Sequence, residues 1–376
     1  MSDHAKRFEF PDGRPDPAVL VDRSGRPVTE YRPLRPVLVK RAQIEAEIER
    51  LAEGPFRGSR RTTIVHPALM GSHSLYPAVS VSLNVLLPGE RTRPHRHNSS
   101  VVNFGIRGRG RSIIGGRTID WGQYDTFSTP PWAIHQHVND TDEIQVRLSY
   151  SNAGLLDLLG VHVVEDTADL DPNQPLGDPD AEREMSARGE TIGPDGAALL
   201  TYEQLISPEP PYQVALHWPW EELRSRLQTL RSLGQEYHGR RLFLMYDRNT
   251  GRSQGTTSTF FATITLRPAG IVDVPHRHTS AAVNYIFAGR GWSIVGGEHY
   301  EWEAGDLMLT APGWMIHGHA SHEGEDVYEL TIQDSPLQIA IGSLLWVENL
   351  KGGTEALGVT RGFETNVEAL TTGEVR

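Results

Sequence analysis

The sequence predicts a mainly β protein built from two tandem copies of one domain, each preceded by a short helix. Residues 94–116 match residues 275–297 at 14 of 23 positions, which is an offset of 181 residues. Residues 79–87 (VSVSLNVLL) alternate apolar and polar residues with the period of two that is typical of a strand. A repeat of this length is a whole domain, because solenoid units recur about every 20–50 residues.

Turn signals divide each copy into short strands. Gly-Gly pairs and Pro-rich segments recur at regular spacing, which indicates a sandwich or a jelly-roll barrel. Helical periodicity that ends on a glycine predicts helices at 40–54 and 218–234. We therefore predict an N-terminal domain at 30–164, a linker rich in Asp, Glu, Pro and Gly at 165–212, and a C-terminal domain at 213–350.

Composition excludes several kinds of partner and site. The chain has 376 residues, a net charge of −12 and no cysteine. An acidic protein is a poor partner for nucleic acid and for anionic membranes, because both favour basic surfaces. No apolar run approaches the roughly 20 residues that cross a bilayer, and the first residues lack a signal-peptide core, so we expect a cytoplasmic protein. Without cysteine, any metal must be bound by nitrogen and oxygen.

Eight of the 16 histidines form two matching groups. Each group contains a His-x-His pair, and side chains two residues apart on a strand point to the same face. A third histidine from a distant strand completes a face of three imidazoles, which suits Fe(II), Mn(II), Cu(II), Ni(II) and Zn(II) alike. The predicted metal ligands are His95, His97 and His135 in the first copy, and His276, His278 and His317 in the second.

These motifs resemble the cupin superfamily, and the resemblance implies a bicupin: two tandem jelly-roll β-barrels, each preceded by a short helix. The glutamate ligand of the first cupin motif is absent, since valine or alanine replaces it in both copies. Three neutral imidazoles leave the full 2+ charge on the metal, which favours an anionic chelating substrate. The matching residues are Gly89, His95, His97, Gly108, Pro130, His135 and Asn139, then Gly270, His276, His278, Gly289, Pro312, Gly313 and His317.

Three-histidine bicupins of this kind resemble the gentisate 1,2-dioxygenase family, which includes salicylate and 1-hydroxy-2-naphthoate dioxygenases. The resemblance extends from about residue 30 to about residue 350 and is carried by LPGERTRPHRHNSS, TPPWAIHQHVN and APGWMIHGH. It implies an Fe(II)-dependent enzyme that cleaves a hydroxylated aromatic ring with O2, the substrate chelating the iron of the N-terminal barrel. We expect a small aromatic substrate and O2 as partners, no nucleic acid or membrane, and a homo-oligomer.

Three asparagines are candidate site residues. Asn103 and Asn284 occupy the position at which the family has an arginine that holds the substrate carboxylate. An asparagine offers a neutral donor and acceptor there instead of a cationic fork, so we expect Asn103 to act in catalysis and substrate binding. Asn84 corresponds to a polar residue near the metal in the family, and we include it among the catalytic candidates.

Three further candidates follow from strand alternation. His137 lies on the ligand face two residues after His135, where a supporting role to the ligand and an acid–base role are both open. Trp132 precedes the same ligand by three residues and can stack on an aromatic substrate or pack in the barrel. Arg109 recurs in the second copy as Arg290; an anion-binding role competes with a solvated ion pair.

The intact second triad leaves several interpretations open. The family typically keeps metal ligands only in its first barrel, whereas here either two metal sites exist or catalysis is shared between the halves. A bicupin with other metal and oxygen chemistry, such as quercetinase-like or decarboxylase activity, is the enzymatic alternative. A non-catalytic protein that binds a metal or a small molecule is the third, because the cupin fold hosts many functions.

Overall fold

In a computed structural model of the protein, Leu34–Arg376 form one compact unit and Met1–Pro33 another. In the first unit, the Asp22 carboxylate accepts a hydrogen bond from the Ser24 N–H at 2.8 Å. All strands and helices below belong to the second unit. The structure describes residues 33–72, 74–167, 169–176, 190–192, 197–199, 214–232, 239–347, 350 and 354–356, together with residues 18, 20, 22, 24 and 25.

The first half of the chain contributes short strands that are separated by tight turns. They are β1 (Val37–Val39), β2 (Arg60–Ile64), β3 (Ser80–Leu86), β4 (Arg96–His97), β5 (Val101–Arg107), β6 (Gly110–Ile114), β7 (Arg117–Trp121), β8 (Thr126–Thr129), β9 (His135–Val138), β10 (Gln145–Ser151) and β11 (Val164–Glu165). A hairpin of β12 (Glu190–Ile192) and β13 (Ala197–Leu199) and the strand β14 (His217–Trp218) follow.

The second half repeats this series. Its strands are β15 (Arg241–Met245), β16 (Phe261–Arg267), β17 (Arg277–His278), β18 (Ala282–Ala288), β19 (Arg290–Val295), β20 (Glu298–Glu303), β21 (Leu307–Ala311), β22 (His317–Ser321), β23 (Val327–Gln333), β24 (Leu345–Val347) and β25 (Glu355–Ala356). The α-helices described are α1 (Arg41–Glu53), α2 (Ala153–Leu158), α3 (Trp220–Ser232) and α4 (Ser335–Ala340), and short 3-10 helices lie at Pro67–Leu69 and Arg248–Ser253.

Each half combines a six-stranded and a three-stranded antiparallel sheet, as the predicted jelly-roll barrels require. The N-terminal sheets have the orders β14-β8-β5-β10-β3-β2 and β7-β6-β9. The C-terminal sheets have the equivalent orders β1-β21-β18-β23-β16-β15 and β20-β19-β22. The strand pair β4–β11 and the three strands β17, β24 and β25 complete the two halves. The mainly β fold with a helix before each barrel is therefore confirmed.

The two halves exchange their first strands. β1 pairs with β21 of the C-terminal half, and β14 pairs with β8 of the N-terminal half. An aspartate carboxylate fixes each exchange: the buried Asp306 accepts the Arg41 N–H at 2.7 Å, and the half-buried Asp125 accepts the Trp220 N–H at 2.7 Å. The domain boundaries predicted from the sequence did not anticipate this exchange, because edge pairing between distant segments leaves no local sequence pattern.

The main apolar core lies between the two large sheets rather than inside the barrels. Val81, Leu83 and Val85 of β3 belong to the same buried cluster as Ile264 and Leu266 of β16. The residues that alternate with them on β3 are polar and face the barrel interior, which explains the period of two. Burial of apolar surface thus holds the halves together, and each barrel interior is left free for polar groups.

The two longest helices lie where helical periodicity predicts them. Ile44, Ile48 and Leu51 are the buried residues of α1, and Leu223, Leu227 and Leu230 are those of α3. Most of the predicted linker at 165–212 lies outside the described residues. Among the residues that are described, no helix combines the length and the apolar composition needed to cross a membrane.

Candidate metal centres

Reciprocal backbone hydrogen bonds hold two histidines of each predicted triad side by side. The His95 N–H donates to the His135 carbonyl at 3.1 Å, and the His135 N–H donates back at 2.9 Å. His276 and His317 form the same pair at 3.0 and 2.9 Å. The third histidine comes from a short strand: His97 on β4 and His278 on β17. Within each triad, one ring nitrogen from every histidine lies within 4.8 Å of the others.

The backbone also fixes the tautomer of all six rings. In each ring Nδ1 lies 2.8–3.0 Å from a backbone carbonyl oxygen. A carbonyl oxygen can only accept, so Nδ1 carries the proton and the lone pair of Nε2 is left for a metal. The acceptors are the carbonyls of Arg93, Ser99 and Ala133 in the first triad, and of Val274, Ser280 and Met315 in the second.

Burial keeps the triads neutral. Desolvation, with the neighbouring His95, lowers the pKa of His97 to about 4, and desolvation lowers that of His317 to about 4. The pKa values of His135 and His278 lie well below their usual range for the same reason. Neutral imidazoles with converging Nε2 atoms are the donor set that binds Fe(II), Zn(II) and related ions. The residues therefore fit a divalent metal in each half.

The two triads differ in access. His95 and His97 are half-buried and only His135 is buried, whereas all three histidines of the second triad are buried. An open coordination face is what a catalytic metal needs, and a closed one is typical of a structural metal. The first triad is therefore the better candidate for chemistry.

A hydrogen-bonded polar layer covers the interior of the N-terminal sheet beside the first triad. The Ser149 hydroxyl donates to Asn103 Oδ1 at 2.7 Å, and Asn103 Nδ2 donates to Thr129 Oγ1 at 3.1 Å. Asn84 Nδ2 donates to Ser149 Oγ at 3.0 Å. Asn103 is buried and Asn84 half-buried, and the layer joins both asparagines in one network. The two predicted asparagines thus lie together on the interior face.

Two arginines that the sequence analysis did not select flank Asn84. Arg61 on β2 and Arg147 on β10 are its direct neighbours across the strands. Arg147 is 4% exposed, its Nε has no hydrogen-bond partner, and burial together with the charge of Arg61 lowers its pKa to about 9. Among the described residues, neither arginine has a carboxylate within 4.0 Å. Arg147 is therefore a buried cation without a counter-ion, next to the solvent-exposed Arg61, and this pair is a candidate anion site.

The equivalent charges in the C-terminal barrel are compensated. Leu242 and Glu329 occupy the positions of Arg61 and Arg147, as the pairing of both with Thr265 shows. Glu329 accepts a hydrogen bond from the fully buried Arg267 at 2.8 Å, and Arg267 also pairs with Asp273. This interior therefore satisfies its own cation and offers no free charge to an anionic ligand.

The pattern of a cupin domain matches two segments of the chain, residues 83–151 and 262–332. Each segment contains one complete triad. The chain therefore contains two cupin domains in tandem, which is the bicupin arrangement predicted from the sequence. The bicupin is 26% identical to 5-aminosalicylate 1,2-dioxygenase of Comamonas sp over 293 residues, which are 77% of this chain and 74% of the relative. It is 28% identical to 1-hydroxy-2-naphthoate 1,2-dioxygenase of Nocardioides sp. (strain KP7) over 313 residues, 81% of this chain and 76% of the relative.

A solved structure shares the fold of the bicupin. Salicylate 1,2-dioxygenase from Pseudaminobacter salicylatoxidans superposes with a TM-score of 0.69 at 18% sequence identity, over 89% of this chain and 93% of that one. The resemblance to the gentisate 1,2-dioxygenase family that the sequence motifs carry is therefore confirmed.

His137 of the bicupin is positioned by a duplicated contact. Ser112 Oγ lies 2.8 Å from His137 Nδ1 and accepts the Trp121 indole N–H at 3.1 Å. The second half repeats this with Ser293, His319 and Trp302. The ring centroid of His137 is 5.7 Å from that of His135. A contact repeated in both halves orients the ring beside the metal ligand, and it does not distinguish one half from the other.

Trp132 and Arg109 of the bicupin have other contacts. The guanidinium of Arg96 lies 4.6 Å from the centre of the Trp132 ring, and Arg96 alternates with the ligands on β4, so this stack is on the opposite face. Arg109 is exposed and lies near Asp142 and Glu143 at 3.6 and 3.4 Å. The turn at Gly108 (φ 69°) breaks the alternation that placed Arg109 inside. The Trp132 backbone N–H donates to the His97 carbonyl at 2.7 Å, so Trp132 lies next to the triad although its ring stacks on Arg96, whereas Arg109 pairs with exposed carboxylates.

Asn284 occupies the position of Asn103 in the second half but has a charged partner. Its Nδ2 donates to Thr331 Oγ1 at 2.9 Å and to Glu329 at 3.2 Å. The residue is buried in the interior whose charges are compensated. The signal that would have found the N-terminal anion site was therefore a difference between the copies, Arg147 against Glu329, and not a match.

Proposed function

We propose that this bicupin is an Fe(II)-dependent ring-cleaving dioxygenase that acts in its N-terminal barrel on a hydroxylated aromatic carboxylate. The observation that carries the proposal is the pair of uncompensated arginines, Arg61 and Arg147, beside the open histidine triad. The dioxygenases to which the chain is similar support the reaction class. The charge-compensated interior of the second barrel supports the choice of the first.

His95, His97 and His135 hold the iron through Nε2 in this proposal. Three protein ligands leave three positions of an octahedral ion, enough for a bidentate substrate and O2. An iron ion held there would relay electrons from the chelated aromatic substrate to O2, which ring cleavage requires because O2 reacts slowly with a closed-shell arene. The carbonyls of Arg93, Ser99 and Ala133 keep the three rings oriented, so that little rearrangement accompanies binding.

The arginines select and orient the substrate. Arg147 Nε is buried and has no hydrogen-bond partner in the free protein, which is energetically unfavourable. A substrate carboxylate that accepts a hydrogen bond from Arg147 removes this penalty and neutralises the buried charge. Arg61 is reached by solvent and stays near the entrance, where its Nε donates to Ser82 Oγ at 3.0 Å. Asn84 lies between the two arginines in the strand register and is joined to Asn103 through Ser149.

His137 acts beside the metal as a neutral ring in this proposal. Burial holds its pKa well below the usual range, so at neutral pH it offers one donor and one acceptor rather than a charge. With Nδ1 engaged by Ser112, its Nε2 is left for the substrate or for a proton that the substrate hydroxyl gives up. Trp132 and Arg109 have no place in this account, because each is engaged elsewhere.

Oxygen consumption tests the proposal. The full chain is loaded anaerobically with Fe(II) and then mixed with aerated salicylate, gentisate, 5-aminosalicylate and 1-hydroxy-2-naphthoate. We expect one O2 consumed per substrate and loss of the aromatic absorbance for at least one of these acids. Failure of all four, in protein shown to contain iron, would overturn the proposal.

Two matched controls sharpen this test. Phenol and hydroquinone lack the carboxylate, and we expect KM to rise at least 100-fold with them if Arg147 binds that group. His95→Ala removes a ligand of the first triad and is expected to abolish oxygen consumption. His276→Ala makes the same change in the second triad, and full loss of activity in that variant alone would place the chemistry in the other barrel.

A further inference from the structure

The second triad is closed more completely than the first. His276, His278 and His317 are 7%, 1% and 2% exposed. His278 Nε2 is fully buried and has no hydrogen-bond partner among the described residues. A buried imidazole nitrogen with an unused lone pair is costly to keep, and a metal ion satisfies it. This atom points to a ligand independently of the histidine motif.

Trp346 closes this triad. Its ring stacks on His276 and on His278, with centroids 5.2 and 4.8 Å apart and interplanar angles of 20° and 15°. It comes from β24, where it lies directly opposite His278. The residue opposite the corresponding ligand of the first triad is Val164, which is 55% exposed. The position opposite this ligand histidine is thus occupied by a large aromatic residue, Trp346, in the C-terminal barrel and by the smaller Val164 in the N-terminal barrel.

The charges around the second triad suit a resident cation. Arg267 is fully buried and is neutralised by Asp273 and Glu329. Arg240 lies against the same Asp273 at 2.8 Å. The interior therefore does not add a free positive charge to that of a divalent ion, whereas the first barrel adds two uncompensated arginines. Electrostatics therefore favours tighter binding of a divalent ion at the second triad than at the first.

We infer that His276, His278 and His317 bind a divalent transition-metal ion as a resident structural ion that is closed to substrate by Trp346. The ion ties β17 to β22 and, through the stacked indole, to β24 near the end of the described chain. It stabilises the C-terminal barrel and takes no part in ring cleavage. This inference does not depend on the reaction proposed for the first barrel.

Metal titration of the full chain tests the inference. Protein freed of metal by a chelator is titrated with Co(II) while metal content, tryptophan fluorescence and thermal unfolding are followed. We expect two equivalents to bind, and the tighter one to quench Trp346, since a paramagnetic ion bound to stacked imidazoles shortens its excited state. That equivalent should also raise the Tm by about 5 °C.

Matched variants assign each signal to a triad. His95→Ala should bind one equivalent and keep the quenching and the gain in Tm. His276→Ala should bind one equivalent and lose both. Trp346→Phe retains an aromatic ring; it should still bind two equivalents but lack part of the quenching, and it should release the tighter metal to a chelator about tenfold faster.

Clear results would overturn the inference. The first is a wild-type protein that binds only one metal ion, with binding lost in His95→Ala alone. The second is fluorescence quenching that is unchanged in Trp346→Phe. Folding of each variant is checked by circular dichroism, and the conservative Trp346→Phe change keeps the test valid if His276→Ala does not fold. A protein that binds two metals as expected but cleaves no aromatic acid would refute the proposed function and leave this inference intact.

Discussion

Arg147 and Glu329 occupy the same register position in the two barrels, and this one difference separates their interiors. Arg147 is buried without a carboxylate, whereas Glu329 neutralises Arg267. A buried charge without a counter-ion weakens the fold, and such strain is commonly found where a ligand binds. An anion that neutralises Arg147 therefore removes this destabilisation, which strengthens its binding.

Arg147→Met should stabilise the protein and abolish binding of an aromatic carboxylate. Removal of the uncompensated charge is expected to raise the free energy of unfolding by about 1–3 kcal/mol, while KM rises at least 100-fold. Urea denaturation and oxygen-consumption kinetics measure the two effects. Arg267→Met is the matched control: it leaves the buried Glu329 without a cationic partner and Asp273 with Arg240 alone, and it should destabilise by about 3–5 kcal/mol. A loss of stability in Arg147→Met would show a structural role instead.

Sequence reasoning selected the six histidines of the triads because a motif repeated at an offset of 181 residues, or of 182 after a one-residue insertion, reveals them. The repeat does not reveal Arg147, because the second copy has Glu329 at the equivalent position. Sequence reasoning misplaced Arg109 because strand alternation was continued through Gly108, where the chain turns with φ 69°. Trp346 follows the cupin motifs in the chain, and only the β17–β24 pairing brings it to the second triad. Such contacts between segments that are distant in the chain cannot be predicted from the local sequence pattern.

At the scale of elements, the exchanged strands and the helices that follow them connect the two halves of the molecule. β1 lies in the C-terminal sheet while α1, directly after it, packs on β2 and β3 of the N-terminal half. α3 does the reverse, since it follows β14 and packs on β15 and β16. The equivalent aspartates Asp125 and Asp306, which are 181 residues apart, anchor these crossings.

Asp306→Ala should destabilise the fold by about 1–3 kcal/mol. The carboxylate is fully buried and accepts from Lys40 Nζ at 2.6 Å and from the Arg41 and Glu303 N–H groups at 2.7 and 3.0 Å, so its removal leaves buried donors unpaired. Thermal or urea unfolding measures the loss. Asp142→Ala breaks an exposed pair and should change stability by less than about 0.5 kcal/mol. Equal effects in the two variants would contradict the role of Asp306.

Asp334 before α4 gives a pH-dependent prediction. It accepts the Ala281 N–H at 2.7 Å, and burial raises its pKa to about 6. The raised pKa means that the fold favours the neutral acid: the cost of the charged form is complete above about pH 6 and disappears as the pH falls towards 3.8. The first half has Asn152 at this position, which accepts the Ser100 N–H at 2.9 Å.

Asp334→Asn copies the first half and should therefore stabilise the protein by about 1–3 kcal/mol at pH 8. The difference from wild type should shrink towards zero near pH 4, because both residues are then neutral. Urea denaturation at pH 8, 6 and 4.5 measures it. A difference that is independent of pH would show that the carboxylate does not titrate in this range.

At the scale of the whole molecule, the halves share one core. Phe287 of the second half lies 5.4 Å from Phe104 and 4.6 Å from Tyr124 of the first, measured between ring centroids. Trp220 stacks edge-on against Phe287 at 5.1 Å. Each such pair contributes about 0.5–1.5 kcal/mol beyond its buried area. The internal repeat predicted two barrels, but the repeat could not show that their largest core is common.

We therefore expect both barrels to unfold in a single transition. Loss of either half exposes the apolar faces of both large sheets, so a state with one folded barrel is strongly disfavoured. Calorimetry of the metal-free protein should give a calorimetric enthalpy equal to the van't Hoff enthalpy, and Phe287→Ala should shift this one transition to lower temperature. Two resolved transitions in the wild-type protein would contradict the shared core.

The exchange of first strands also sets the order in which the chain can fold as it leaves the ribosome. Val37–Val39 are made early, yet their partners Leu307–Leu309 are made about 270 residues later. At roughly 5–20 residues per second, this strand waits on the order of 15–50 s for its sheet. The first barrel likewise lacks its edge strand until His217–Trp218 emerge. Synthesis of the second half is thus the event that completes the first.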